Sequence, residues 1–236
     1  MSMSLLRQAL IGYALVASFF ATSSNAQSCR DAVVLVHGNS GSPGDFDTTY
    51  NALLANGYNT SQILRPNWGN KWCPACNDHN GSEETPVIDA MVEALARSCS
   101  GRIDVIGHSM GATLAAHQIR KYGLKDQVDT FIGIAGAFRG LRSCGVYPFN
   151  VPTSTCGYWG MSVSSPLLDS LWGHRFGSKV YSIKSWIDQV VCYGGLCTVG
   201  GVHASSIPGE DGSHTHAYGH FGLLDYTAAQ QVTLIQ

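Results

Sequence analysis

The chain has 236 residues, with Lys+Arg 14 against Asp+Glu 16, a formal net charge of -2, 44% hydrophobic residues and only 13% charged ones. That apolar fraction can build a sizeable core and excludes an intrinsically disordered chain; without a basic excess to hold phosphates, no nucleic-acid partner is expected. The length fits one α/β unit, and a charge content below the roughly 25% of average soluble proteins suits a fairly neutral surface able to meet apolar material.

The first residues read as an export signal. Arg7 supplies the positive start, Ala9 to Ala21 an apolar stretch, and Ser24-Asn25-Ala26 the small residues of a cleavage site. Residues 1–26 are therefore expected to be a signal peptide and 27–236 one domain, secreted to the extracellular space or periplasm. The apolar stretch is shorter than the ~20 residues that cross a bilayer, and no later one is longer, so no integral membrane span is expected. All eight cysteines follow the cleavage site, and an even number in an exported chain reads as disulfides. Cys144 with Cys156, and Cys192 with Cys197, bracket Gly-containing loops. Cys29 and Cys99 each precede a strand and could bond if those strands are parallel neighbours. Cys73-Pro-Ala-Cys76 has the spacing of a redox pair or half a zinc site. It lacks a second CxxC, so a structural disulfide is expected.

Strand-like and helix-like segments then alternate. Asp31 to Val36 is a short β-branched run suited to a strand buried on both faces. Pro43 to Ala55 carries Phe46, Tyr50, Leu53 and Leu54 at helical spacing, with Gly57 as a stop. A further strand is expected over Gln62 to Leu64. Thr85 suits an N-cap and Pro86 the first helical position, ahead of the stripe Val87, Ile88, Met91, Val92 and Leu95. Arg102 to Gly107 is strand-like and runs into Ser109 and a helix over Ala112 to Tyr122, closed by Gly123. Val128 to Ala135 and Lys179 to Ile183 make two more strands, and Leu223 to Ile235 a terminal helix. This alternation predicts an α/β fold: a mostly parallel central sheet with helices on both faces. In such sheets, chemistry gathers beyond the carboxyl ends of the strands.

Gly107-His108-Ser109-Met110-Gly111 matches GxSxG. In a chain with 27 glycines the bare pattern is weak; its force comes from the strand that feeds it and the helix that leaves it. Such a turn exposes the Ser109 hydroxyl and aims the Met110 backbone N–H at bound substrate. The helix N-terminus adds partial positive charge where an oxyanion would form. Three stretches, Val33 to Asn39 (VVLVHGN), Val105 to Gly111 (VIGHSMG) and Gly219 to Leu224 (GHFGLL), resemble the α/β-hydrolase superfamily and, within it, the small secreted bacterial lipases. With the order of strands and helices, the resemblance extends over most of residues 30–236.

The resemblance implies a serine ester hydrolase. In similar lipases the loop after the first strand supplies the second oxyanion N–H, which falls to Asn39; His37 reads as a structural residue. The family order of serine, acid, histidine places the general base late in the chain. His220, between Gly219 and Phe221, resembles the family's histidine loop and is chosen over His203, His214 and His216, which read as solvent-exposed loop residues. The acid should follow a strand between serine and histidine, as Asp188 does; Asp211 is second choice, and Asp129 begins its strand and so lies at the wrong end. The expected catalytic set is Ser109, Asp188 and His220, with the N–H groups of Asn39 and Met110 as oxyanion hole.

Phe138 to Gly177 is an insertion rich in aromatics, where Ser165-Pro166 can start a short helix with Leu167, Leu168, Leu171 and Trp172 on one face, ended by Gly173. It reads as packing over the core, as an acyl-binding wall, or as a lid. His214, His216, His220, Asp211 and Glu210 contain metal-ligand types but no complete set, so neither metal nor other cofactor is expected. The expected substrate is a small-molecule or lipid ester, met at a lipid–water interface in the lipid case. Triacylglycerol is preferred over the short esters or polyesters that the same machinery cleaves, and over a silent, disulfide-stapled binding module. A monomer is expected.

Overall fold

The β-branched runs become the middle of a sheet. A computed structural model describes residues 30–236; the expected signal peptide and Cys29 lie outside the described residues. In chain order the elements are β1 (Ala32–Val36), α1 (Asp47–Ala55), β2 (Ile63–Leu64), α2 (Glu84–Arg97), β3 (Ile103–His108), α3 (Met110–Lys121), β4 (Val128–Ile134), β5 (Leu141–Val146), β6 (Ser162–Val163), α4 (Pro166–Leu171), β7 (Lys179–Lys184), β8 (Thr198–Val199), β9 (Val202–His203), β10 (Gly212–Thr215), α5 (His220–Tyr226) and α6 (Ala228–Leu234). Six strands form the main sheet in the order β10-β7-β4-β3-β1-β2. All its neighbours are parallel.

Every residue of β1 and β3 is buried, which is why β1 reads as an unbroken apolar run and β3 as a largely apolar one, interrupted by Asp104 and ended by His108. The period of two splits them between two cores. Ala32, Val34, Val36 and Val105 pack with Val87, Met91, Leu114 and Ile119 of α2 and α3. Val33, Leu35 and Ile106 pack with Leu53 of α1, Leu223 and Leu224 of α5 and Val232 of α6. Helices thus cover both faces, and each fully buried aliphatic side chain contributes roughly 1.5–3 kcal/mol. From the central pair β1 and β3, the chain proceeds outward to β2 on one side and β4 on the other. The crevice between their carboxyl ends is where such sheets bind ligands.

Several boundaries differ from expectation for local reasons. Thr85 is not the cap of α2, because a 3-10 turn at Gly81–Glu83 leads into a helix that already starts at Glu84. Pro86 falls within the first four residues, where a missing N–H costs no helical bond. The expected terminal helix is broken in two. The Thr227 hydroxyl bonds Leu223 O (2.6 Å), and the buried Gln231 amide reaches Leu224 O (2.8 Å), so the carbonyls freed by the break are satisfied. Strand β10 has no apolar alternation to mark it; it is anchored by Asp211, whose N–H donates to Val180 O and whose carboxylate accepts Val180 N–H.

The insertion holds the parallel pair β5–β6 and α4. Ser165 caps α4, accepting the Leu168 N–H, and Leu167, Leu168 and Leu171 join the core beside α3. Trp172 departs from the expected apolar face: it is half exposed, with the Arg139 guanidinium over its ring at 4.9 Å. Disulfides join Cys73 to Cys76, Cys144 to Cys156 and Cys192 to Cys197. Cys99 is disulfide-bonded as well. No helix among the described residues is long and apolar enough to cross a membrane.

One buried charge stands out at the amino end of β3. Asp104 is 4% exposed and accepts the Thr130 N–H at 3.0 Å. Burial, helped by the charge of Asp129 and opposed by the Thr130 bonds, pushes its carboxyl up to about 7. In the unfolded chain it ionises near 3.8, so between these values the folded state binds more protons and stability falls as pH rises. Asp104→Asn is expected to raise Tm clearly at pH 8 and far less at pH 4. Equal changes at both pH values, read by thermal unfolding, would contradict this.

Candidate active site

Ser109 occupies a turn that the two glycines of the motif make room for. Its backbone lies at φ 53, ψ -131, a strained region for a residue with a Cβ. Ser109 N–H donates to Ile134 O at 2.8 Å, and Ser109 O accepts Ala112 N–H at 3.1 Å. A Cβ on Gly107 would press on the Ala112 backbone, its N at 2.8 Å, and one on Gly111 would meet Val36 O at 2.5 Å and collide with His37 O. Both glycines are therefore demanded by close approach of β3, α3 and β1. Because α3 begins at Met110, its first N–H groups have no intrahelical acceptor and form the positive end of the helix.

The loop after β1 packs against this turn. A Cβ on Gly38 would lie 3.0 Å from the Ser109 Cβ. Gly41 N–H closes a tight turn onto Gly38 O at 3.0 Å, with Ser40 at φ 59 and Asn39 at the second position. His37 holds the loop from beneath. Its Nε2 accepts Trp68 N–H (3.3 Å), its carbonyl accepts the Trp68 indole N–H (2.9 Å), and its Nδ1–H donates to Gly38 O (2.8 Å). Burial holds this imidazole below its ordinary range, opposed by the Gly38 bond and the Asp45 charge. His37 is structural, as its position in the sequence indicates.

His220 is the first residue of α5, and Asp188 lies in the loop after β7. Both are buried. His220 Nδ1 is 2.9 and 2.8 Å from the two Asp188 oxygens, so Nδ1 carries the proton and Nε2 keeps its lone pair. Burial alone would push the Asp188 carboxyl up. The His220 bond and charge, with N–H donation from Val191 and Val190, outweigh it and hold the carboxyl below the ordinary range. Gln189 Oε1 accepts the His220 backbone N–H at 2.9 Å. From the serine turn, His108 Nε2–H donates to His220 O at 3.2 Å. Burial, then the charge of His220, takes the His108 ring down to about 3, so His108 stays neutral.

Ser109 and His220 share a cleft of about 440 Å³ with Asn39, Ser40, Asp45, Val190 and Phe221. Among the described residues no part of the 138–177 insertion lines it; the apolar wall comes from Phe221 and Val190. Trp186, Ile187, Tyr193 and Leu196, in the segment that carries Asp188, are exposed large hydrophobics.

The rival residues lie elsewhere or are otherwise employed. His203 is not a solvent-exposed loop residue: it is buried, bonds Ser185 O at 3.0 Å and accepts Ser205 N–H. It braces the segment that carries Asp188. His216 bonds Gln230, and His214 packs on Tyr181. Asp211 pairs with Arg175 at the start of β10, at the end of the sheet away from Ser109, so it is unsuited as reserve acid. Among the described residues, His214, His216, His220, Asp211 and Glu210 are not gathered around one point; His220 pairs with Asp188 and Glu210 accepts Ile207 N–H. Cys192, Cys197 and His203 do converge among the described residues. Both sulfurs are spent in a disulfide, which leaves one donor.

Residues 30–233 match the family model described as Lipase (class 2). No curated protein matches the sequence. Among solved structures, the Bacillus licheniformis lipase BlEst2 in its mature form is similar at TM-score 0.64 and 13% identity, over 89% of this chain and 93% of that one. A structure from the work on the metagenome-derived lipolytic enzymes LipS and LipT is similar at TM-score 0.61 and 16% identity, over 88% and 94%. An extracellular α/β-hydrolase from a Paenibacillus species gives TM-score 0.57 at 12% identity, over 86% and 98%. At these identities the likeness carries the fold, which is that of the α/β-hydrolases.

Proposed function

The chain belongs to the class 2 lipase family, serine ester hydrolases of the α/β-hydrolase fold, and from that premise we propose that it hydrolyses acylglycerols outside the cytoplasm through Ser109, His220 and Asp188. The observation that carries the reading is the buried His220–Asp188 pair, which opens onto the same cleft as a serine in a strained, glycine-flanked turn. Residues 27–236 act as one catalytic domain after removal of 1–26, and the disulfides fit an oxidising compartment.

In this reading, His220 Nε2 takes the Ser109 proton as Oγ attacks the ester carbonyl. Asp188 fixes the ring's tautomer and balances the imidazolium that forms. The N–H groups of Met110 and Asn39 receive the oxyanion, an arrangement worth several kcal/mol. His220 then protonates the departing alcohol. In the second half, His220 takes a proton from water as it attacks the acyl-enzyme, then gives that proton to Ser109 Oγ as the acyl bond breaks, which releases the acid and restores both side chains.

The choice of acylglycerols over short esters rests on Phe221 and Val190 in the cleft and on the exposed Trp186, Ile187, Tyr193 and Leu196 nearby in the chain, apolar surface suited to lipid. Initial rates on p-nitrophenyl esters from acetate to palmitate, beside emulsified triacylglycerol, test it. Rates that favour long chains together with turnover of the emulsion are expected. A maximum on acetate with an untouched emulsion would make the protein a short-chain esterase.

A further inference from the structure

The Cys73-Pro-Ala-Cys76 segment, with no part in the chemistry above, is tied directly to the loop that offers the Asn39 N–H. Asn39 shares a peptide with Gly38, whose carbonyl accepts Gly41 N–H at 3.0 Å and His37 Nδ1–H at 2.8 Å, so the carbonyl end of the unit that carries the Asn39 N–H is held from within the loop. The Asn39 side chain adds a second anchor, on the other side of the peptide. Its Oδ1 accepts Asn77 Nδ2–H at 2.6 Å, and its own Nδ2–H donates to Pro74 O at 3.1 Å.

Asn77 is fully buried and spends its whole carboxamide on this task. Its second Nδ2 proton goes to Asn70 O (3.0 Å), and its Oδ1 accepts Asn70 N–H (2.6 Å). Asn70 Oδ1 in turn accepts Trp72 and Cys73 N–H groups, and the Cys73–Cys76 disulfide closes the turn that presents Pro74 O. Thr155 Oγ lies 2.6 Å from both Pro74 O and Asn77 O and holds the turn from the insertion side. Apolar packing does not shape this loop: Trp72 is 95% exposed and Cys76 is exposed. Its shape comes from the disulfide and the Asn77 amide.

We propose that Asn77 is a positioning residue for ester hydrolysis: within the disulfide-closed 70–77 loop it clamps the Asn39 side chain and so aims the Asn39 N–H at the oxyanion. This rests on the reading of Asn39 as an oxyanion donor. Losing a donor outright costs ~10²–10³ in rate; a donor that is present but mis-aimed should cost on the order of 10-fold or more, in kcat and not in KM, because the oxyanion exists only during reaction.

The experiment compares Asn39→Ala, Asn77→Ala and the double variant on a soluble ester, with Tm measured for each. Asn39→Ala keeps the backbone N–H and removes only the tether. Each single variant is expected to lose on the order of 10-fold in kcat with KM within about twofold, and the double variant to lose no more than the worse single one. Unchanged kcat in folded Asn77→Ala, or losses that multiply in the double variant, would overturn the clamp. Should Asn77→Ala not fold, the Cys73→Ser/Cys76→Ser variant decides: a lowered kcat at constant KM supports the clamp, and wild-type kcat overturns it. Ser109→Ala, run alongside, separates the two levels, since activity surviving there would remove the underlying site reading and not only the clamp.

Discussion

Ser109→Ala is expected to lower kcat on a soluble ester by roughly 10⁴–10⁶ while Tm stays near that of the wild type. The loss is large because the hydroxyl oxygen is the atom that would bond to the acyl group. The fold should tolerate the change. Alanine takes φ 53 at about the same penalty as serine, and the bonds that hold the turn run through the backbone of residue 109. Steady-state kinetics with a melting curve check both halves, and a folded variant that keeps more than a tenth of the wild-type kcat would refute the assignment.

Asp188→Asn should cost kcat on the order of 10⁴-fold, the size of the same change in another serine hydrolase. Asparagine fits the space and can still accept a backbone N–H from Val190 or Val191, which now bond Asp188 Oδ1 at 2.8 and 2.9 Å. It cannot accept at both oxygens. An amide N–H turned toward His220 Nδ1 would draw the ring into the tautomer whose Nε2 carries the proton, and that nitrogen could not then take one from Ser109. The carboxylate also stabilises the native state: its value is lowered on folding, so its contribution is complete above the unfolded value near 3.8 and is lost as pH falls through the folded one. A kcat within tenfold of wild type for Asp188→Asn at neutral pH would mean that another acid serves His220.

The sequence makes parts of this architecture readable and hides others for physical reasons. Strands β1, β3 and β4 are legible because burial on both faces leaves only apolar residues for most of their length. The turn at Ser109 is legible because backbone crowding at 107 and 111 admits only glycine. Strand β10 is not: an edge strand needs no apolar alternation, and Gly212–Thr215 is held by backbone pairing and by Asp211. The split between α5 and α6 depends on Gln231, whose amide bonds Leu224 O seven residues away. Burial of His203 was equally invisible, since its partner Ser185 lies 18 residues off.

Around the candidate site, what the sequence leaves unread is the support. His108 is inside the GxSxG motif, yet its bond to His220 O spans 112 residues. Gln189 neighbours Asp188, but its acceptor role toward His220 N–H becomes visible only when two distant loops meet. Asn77 reaches Asn39 across 38 residues with no local pattern to mark it. The insertion illustrates the opposite case. Its aromatic and leucine content is plain in the sequence, but only the packing of Leu167, Leu168 and Leu171 into the core beside α3 shows which surface that content covers.

The most direct measurement of whether Ser109 is an activated nucleophile is reaction with a fluorophosphonate, in which the serine oxygen bonds to phosphorus as fluoride leaves, followed by peptide mass mapping. Rapid modification is expected on the peptide containing Ser109, with none at that position in Ser109→Ala and slow modification in His220→Ala. Rapid modification at a different serine, or an enzyme that hydrolyses esters yet leaves Ser109 unlabelled, would contradict the role of Ser109 as nucleophile.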